Sequence, residues 1–272
     1  MPMSAQHPVP VTLEAAQALL ALQQTEIDRL HTAHEAWMRA VAHDLRAPLR
    51  HVVSFAPLLK ESVAELAALA GPAPQSREAA EDAHEFATTM EQSARKMSAM
   101  LDGLATLSRA TRAPLHVDAV DWTALVLSLV ATLRAQHPNV QWELPHLPVW
   151  VAADAESLRS AMQAVLTNAV KFSARQEQPQ VRVFALPLEQ GGWRLSVQDN
   201  GVGFDDSRAQ QLGELFQRMH RDSEFEGVGC GLALVSTIAR RHGARWKLQS
   251  QPSFGCTISL DWPASNLSEK GL

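Results

Sequence analysis

A chain of 272 residues that is 46% hydrophobic has enough apolar mass for a buried core, which excludes wholesale disorder and predicts one large or two ordinary domains. A net charge of −5 excludes a general nucleic-acid binder, which needs a clear basic excess, so any handling of phosphate must be local. The two cysteines, Cys230 and Cys256, have no CxxC spacing; they predict a reducing compartment and two small core residues, neither a disulfide framework nor a zinc site.

Residues 1–11 hold three prolines and little pattern, with no basic stretch before an apolar run, so a frayed start is expected rather than a secretory signal. The longest apolar run, TALVLSLVATL at 123–133, is shorter than the about 20 residues that span a bilayer. No membrane span is expected, and the chain reads as soluble and cytoplasmic.

From Leu13 an apolar seam steps alternately by three and four: Leu13, Ala16, Leu20, Gln23, Ile27, Leu30, His34, Trp37 and Val41. This is coiled-coil patterning, with Gln23 and His34 as polar interruptions. It resumes as Leu45, Leu49, Val52, Ala56, Leu59, Val63, Leu66 and Ala70, after a run of four-residue steps that forms a stutter. The stutter falls on AVAHDLRAPLR, residues 40–50. His43 lies two residues from both Val41 and Leu45, about 200° round the helix from each, and is expected to point away from the seam. Pro48 lacks an amide hydrogen and favours a bend beside it, and Pro57 adds a second weak point.

GPAPQS, residues 71–76, reads as a turn. A second helix is expected from about Arg77 to Ala110, with Phe86, Met90, Ala94, Met97, Leu101 and Leu104 on its apolar face. One hairpin cannot bury so long a seam; a homodimer forming a four-helix bundle can. After residues 111–114, seven short β-like runs alternate with helical segments near 121–136, 154–172 and 230–242, which predicts an α+β domain over 115–264.

Within that domain Asn168 and Lys171 sit three apart on one helix face, where an amide oxygen can ligate Mg²⁺ and an ammonium can neutralise a phosphate. Asp199 ends a predicted strand just before Gly201 and Gly203; a carboxylate there can accept from an exocyclic amine, and the glycines permit close backbone approach. Gly227, Gly229 and Gly231 run into a helix, as a phosphate cradle would. Between the two clusters residues 204–226 form a long polar connection carrying Arg218, His220 and Arg221, either a lid or a solvated charged face. Each feature alone also has a plain reading: a solvated helix face, a strand with its turn, a glycine-rich loop, a surface histidine.

Taken in order, they resemble the cytoplasmic core of bacterial sensor histidine kinases over roughly residues 35–264. AHDLRAPLR is similar to the family's H-box, TNAVKF to its N-box, DNGVGF to G1 and GVGCGLALV, with Leu232, to G2. SFGCTISLDWP with Gly255 and Thr257 resembles the last glycine box, and LFQRMHRD with Phe216 the F-box of phytochrome-type kinases. The resemblance implies an α+β chain in four parts: a tail and coiled-coil helix at 1–34, a helical-hairpin dimerisation and phosphotransfer domain at 35–112, an α/β-sandwich GHKL ATP-binding domain at 113–264, and a tail at 265–272.

It further implies that His43 is the phosphoacceptor and Asp44 the adjacent acid. Asn168 would hold Mg²⁺, Lys171 would contact phosphate and Asp199 would hold the adenine amine. Gly201, Gly203, Gly227, Gly229 and Gly231 would shape the ATP pocket and lid, with Phe216, Arg218, Leu232 and Thr257 nearby. The implied partners are a response-regulator receiver domain, a second copy of the chain and a separate sensor protein. Three positions depart from the family's pattern, one of them Cys230, which takes a G2 position often held by a larger apolar residue. Ala164 stands where another Asn is usual, which predicts weaker metal or phosphate binding, and Ala47 replaces the Thr or Asn that positions a dephosphorylating water. The alternatives are a degenerate kinase serving as a receiver-binding scaffold, and a GHKL ATPase that is not a kinase.

Overall fold

The computed structural model of the chain describes residues 13–70, 74–205 and 228–264; at 14–15, 26–40, 43, 70 and 74–76 it describes the backbone path alone. Helix α1 (Leu13–Ala70) is 58 residues long and α2 (Pro74–Arg112) is 39, and the two pack along each other as a hairpin. Helix α1 runs on through Pro48 and Pro57. Each proline forgoes one main-chain hydrogen bond, but the buried neighbours Leu49 and Ala56 anchor both turns, and tertiary packing overrides the local cost. Helix α2 starts at Pro74, inside the expected turn, because proline's fixed φ suits a first helical turn.

The stripe of α1 that faces α2 differs from the expected seam. It is Ala42, Arg46, Leu49, Val53, Ala56, Lys60, Val63 and Ala67, buried or half-buried, against Ala80, Ala87, Glu91, Ala94 and Leu101 of α2. Leu45, Leu59 and Leu66 stay exposed, as do Phe86, Met90 and Met97. Small side chains let the two backbones approach, and Lys60 reaches Glu91 at 2.6 Å within that contact. Arg46 meets Asp102 at 2.9 Å nearer the other end of the hairpin and fixes the antiparallel register.

The second domain opens with β1 (Val117–Asp121), which pairs antiparallel with β3 (Trp150–Asp154). Helix α3 (Trp122–Gln136) follows β1 directly, capped by Asp121, which accepts the Ala124 amide at 3.0 Å. Helix α4 (Ala155–Ser173) follows β3 in the same way, capped by Asp154 on the Ser157 amide at 2.8 Å. Each cap satisfies an amide that the helix itself leaves unpaired.

The main sheet has the order β2-β4-β5-β7-β6: β2 (Gln141–Glu143), β4 (Gln180–Pro187), β5 (Gly192–Asp199), β7 (Gly255–Pro263) and β6 (Arg245–Gln251). Strands β2 and β4 are parallel and the other pairs antiparallel. Alternation puts Val183, Val197, Leu195, Ile258 and Leu260 on the face covered by α3, α4 and α5 (Gly231–Arg241), where they form the core with Trp122, Leu158, Leu166, Val235 and Ile238. The seven strands and three helices expected from the sequence are all present, within a residue or three of the expected ends. Among the described residues no helix is long and apolar enough to cross a membrane.

Candidate functional site

A cavity of about 850 Å³ lies between α4, the end of β5, the start of α5, strands β6 and β7, and helix α2. Helix α4 gives it Asn168 and Lys171, one turn apart as the spacing predicted. Strand β5 delivers Asp199 at its last position, opposite Val181 and Cys256, so strand parity points this carboxylate toward the helices. Only 7% of the residue is exposed. Burial pushes its carboxyl up to about 6, against the pull of the Gly201 and Cys256 amides that favour the charged form. The Gly201 amide donates to Asp199 Oδ1 at 2.8 Å, and the other oxygen is an acceptor for a planar donor entering the cavity.

Two glycines hold this end in shape. A side chain at Gly201 would sit 2.5 Å from the Phe172 carbonyl, and Gly203 has φ +58 with its α-carbon packed onto the Gln251 carbonyl. Across the cavity, α5 begins at Gly231 with no side-chain cap from Cys230, so its leading amides are open to an anion. A β-carbon at Gly231 would lie 3.6 Å from Asn168 Nδ2 and 3.8 Å from the Ala164 side chain, which sets the helix terminus facing the Asn168 turn.

Lys171 Nζ sits 4.2 Å over the Phe172 ring. Among the described residues no group of three or more His, Cys, Asp or Glu is arranged to hold a metal. Asn168 offers one neutral oxygen, which fits a Mg²⁺ that brings most of its ligands as phosphate oxygens and water.

Residues 153–266 match the family of histidine kinase-, DNA gyrase B-, and HSP90-like ATPases. The chain is 27% identical to phytochrome-like protein Cph1 of Synechocystis over 93% of its own length and 31% of that protein's. It is 28% identical to the phosphate regulon sensor protein PhoR of Pseudomonas aeruginosa over 92% of this chain and 55% of the relative. Sensor histidine kinase TrcS of Mycobacterium tuberculosis is 30% identical over 80% of this chain and 41% of its own length.

The chain is a histidine-kinase homologue with a GHKL ATPase domain. It spans between 31% and 55% of the lengths of these relatives. Full-length ShkA, solved in complex with AMPPNP, shares the fold with a TM-score of 0.55 and 22% identity over 84% of this chain and 45% of that one.

In this histidine-kinase homologue the cavity gathers Asn168, Lys171, Asp199, Gly203, Gly229, Gly231 and Leu232 from three separate stretches of sequence. Gly201 stands behind the lining and supports Asp199. Thr257 is a correction: it pairs with Gln198 on the opposite face of the sheet, while its neighbours Cys256 and Ile258 line the cavity. Phe216, Arg218 and Gly227 lie outside the described residues, as does the expected 204–226 connection beyond Asp205.

His43 lies within α1, its side chain outside the description, and Asp44 is exposed on the same helix, away from the cavity lining. Both cysteines are half-buried residues of the cavity wall; Cys256 also packs against the core, as expected, and Cys230 stands outside that cluster. Sequence reasoning missed Phe172, Phe204 and Leu248, and also Ala99 and Thr106 of α2, which close the cavity from the hairpin side. The alternation along β7 could have found Cys256 and Ile258; nothing in the sequence signals that α2 is a wall.

Proposed function

We propose that the chain is an ATP-dependent protein-histidine kinase that autophosphorylates His43 and passes the phosphoryl group to an aspartate on a response-regulator receiver domain. The observation that carries the reading is the buried Asp199 carboxylate at one end of a cavity whose other end holds Asn168, Lys171 and the open start of α5. An acceptor at one end and anion-binding groups at the other suit adenine and a polyphosphate. In this role Asp199 takes the adenine amine, Lys171 and the α5 amides hold phosphates, and Asn168 adds one ligand to Mg²⁺, which when bound neutralises phosphate charge. Phe216 and Arg218, in the polar connection 204–226, and Gly227 after it would contribute to the nucleotide site and its lid.

The transfer itself needs a neutral imidazole. One His43 nitrogen attacks the γ-phosphorus in line, the bond to the ADP oxygen breaks, and the proton on the other nitrogen passes to Asp44. The resulting phosphoramidate breaks its N–P bond when the receiver carboxylate attacks. The exposed Leu59, Leu66, Phe86 and Met90 support a homodimer through the hairpin, a four-helix bundle in the cytoplasm. A separate sensor protein would act on α1.

Incubation with γ-labelled ATP and Mg²⁺ tests the reading. Label that is acid-labile and alkali-stable is expected on the wild type and absent from His43→Gln. Label that survives acid, or that persists in His43→Gln, overturns it.

A further inference from the structure

Strand β5 ends on Asp199, yet its ladder with β4 is closed one residue further on, and by a different means. Val181 and Asp199 are the last paired residues. Beyond them the Asn200 main-chain amide donates to the Gln180 carbonyl at 3.3 Å, and the Gln180 amide donates to the side-chain Oδ1 of Asn200 at 2.9 Å. An antiparallel pair ordinarily exchanges two main-chain bonds; here the carboxamide stands in for the main-chain carbonyl of Asn200. The backbone is thereby free to leave the sheet at once. It turns at Gly201, whose amide comes back to Asp199 Oδ1 at 2.8 Å.

The other half of the same carboxamide gives the turn a fixed reference. Asn200 Nδ2 donates at 2.8 Å to the carbonyl of Gln178, in the connection that runs from the end of α4 at Ser173 to the start of β4 at Gln180. A second contact lies alongside. The Val202 amide meets the Phe172 carbonyl at 3.4 Å, and a β-carbon at Gly201 would stand 2.5 Å from that same carbonyl. Helix α4 is itself anchored in the core through Leu158, Met162 and Leu166. Holding both sides takes an acceptor and a donor on one short arm: an ionised aspartate lacks the donor, and a serine hydroxyl lacks the reach.

We propose that Asn200 is a positioning residue for adenine recognition: its two-sided bracket fixes the turn that aims the Asp199 carboxylate, and so sets the preference for a base that carries an exocyclic amine. The inference rests on the reading of Asp199 as the acceptor of that amine. In this role Asn200 touches no nucleotide. Without the bracket the turn from Asp199 to Gly201 loosens and the acceptor loses its alignment, on which a hydrogen bond depends steeply. The phosphate end, on α4 and the start of α5, keeps its place because α4 has its own anchor in the core.

The test titrates the full chain with the imido analogues of ATP and of ITP, whose base carries an oxygen where adenine carries the amine. The wild type is expected to favour the adenine analogue. In Asn200→Ala that preference is expected to shrink by roughly fivefold, the scale of one hydrogen bond, while affinity for the inosine analogue stays within about twofold. Asn200→Ser, which keeps a polar turn residue, is expected to behave alike and carries the comparison on its own where the alanine variant does not fold. Equal weakening of both analogues, or an unchanged preference, overturns the proposal, since a merely structural role lowers the two together.

A wild type that shows no preference fails the reading of Asp199 instead, and a carboxyl-labelled NMR titration of the empty protein then judges the bracket alone. The Asp199 signal is expected to titrate at about 6 in the wild type. In either variant its midpoint is expected about one pH unit lower, as the loosened turn admits water to the buried carboxyl. An unmoved midpoint overturns the bracket.

Discussion

The Asp199 carboxylate accepts the Gly201 amide at 2.8 Å from a position where the residue is 7% exposed, so that amide, with the Cys256 amide, favours a charge that burial disfavours. Its carboxyl is raised to about 6, well above the usual 3.8. A raised carboxyl favours folding in its protonated form; that contribution is complete below pH about 4 and is lost as pH climbs to about 6. At pH 8 the ionised group costs the empty protein about 3 kcal/mol. Asp199→Asn is therefore expected to raise the melting temperature at pH 8 while weakening ATP binding at least tenfold, about 1.4 kcal/mol. Melting curves and analogue titrations on one preparation check both halves.

Asp261 behaves with the opposite sign. Arg194 grips it at 2.6 and 2.9 Å and Lys247 at 3.0 Å, holding its carboxyl down to about 2. Stability from this cluster is present above pH about 4 and drains away as pH falls toward 2. Because Arg194 is partly exposed, Asp261→Asn is expected to cost only about 1–2 kcal/mol at pH 7. Denaturant unfolding at pH 7 and pH 2.5 should show the difference shrink at the lower pH.

Thr257 and Cys256 are neighbours on β7 with opposite outlooks. Thr257→Val should leave ATP affinity within about twofold, since strand alternation turns that side chain away from the cavity. A larger loss in an equilibrium titration would show that the last glycine box reaches the nucleotide after all.

Gly203 is a position where backbone shape is tightly restricted. With φ +58 and the Gln251 carbonyl packed against its α-carbon, Gly203→Ala is expected to destabilise the domain by about 2 kcal/mol or more. Chemical denaturation reads this without reference to activity.

The exposed hairpin face predicts assembly. Leu59→Glu combined with Met90→Glu places charges on two exposed apolar positions and should convert a dimer to a monomer in sedimentation, with helical circular dichroism retained.

Much of this was legible in sequence, and the exceptions share a physical cause. Strands β4, β5 and β7 announce themselves by alternation, and Asp199 by its place at a strand end before two glycines. The stripe of α1 that meets α2 was harder to read, because the apolar band is wider than one partner needs. Leu49, Ala56 and Val63 belong both to the expected seam and to the observed contact. Which half of the band turns inward depends on side-chain size and on the Lys60–Glu91 pair across the hairpin, a non-local fact that periodicity cannot carry. Thr257 failed for a simpler reason: a motif places a residue in a strand without fixing its parity. The role of α2 as a cavity wall depends on docking between domains, for which a linear pattern has no signature.

The alanines along the hairpin have a mechanical consequence. Ala42 and Ala56 on one helix and Ala87 and Ala94 on the other offer low ridges and shallow grooves, unlike leucines that mesh tooth by tooth. Smooth surfaces resist axial rotation weakly. A helix about 87 Å long, held over its second half by such low ridges, is expected to turn about its own axis against α2 with little resistance.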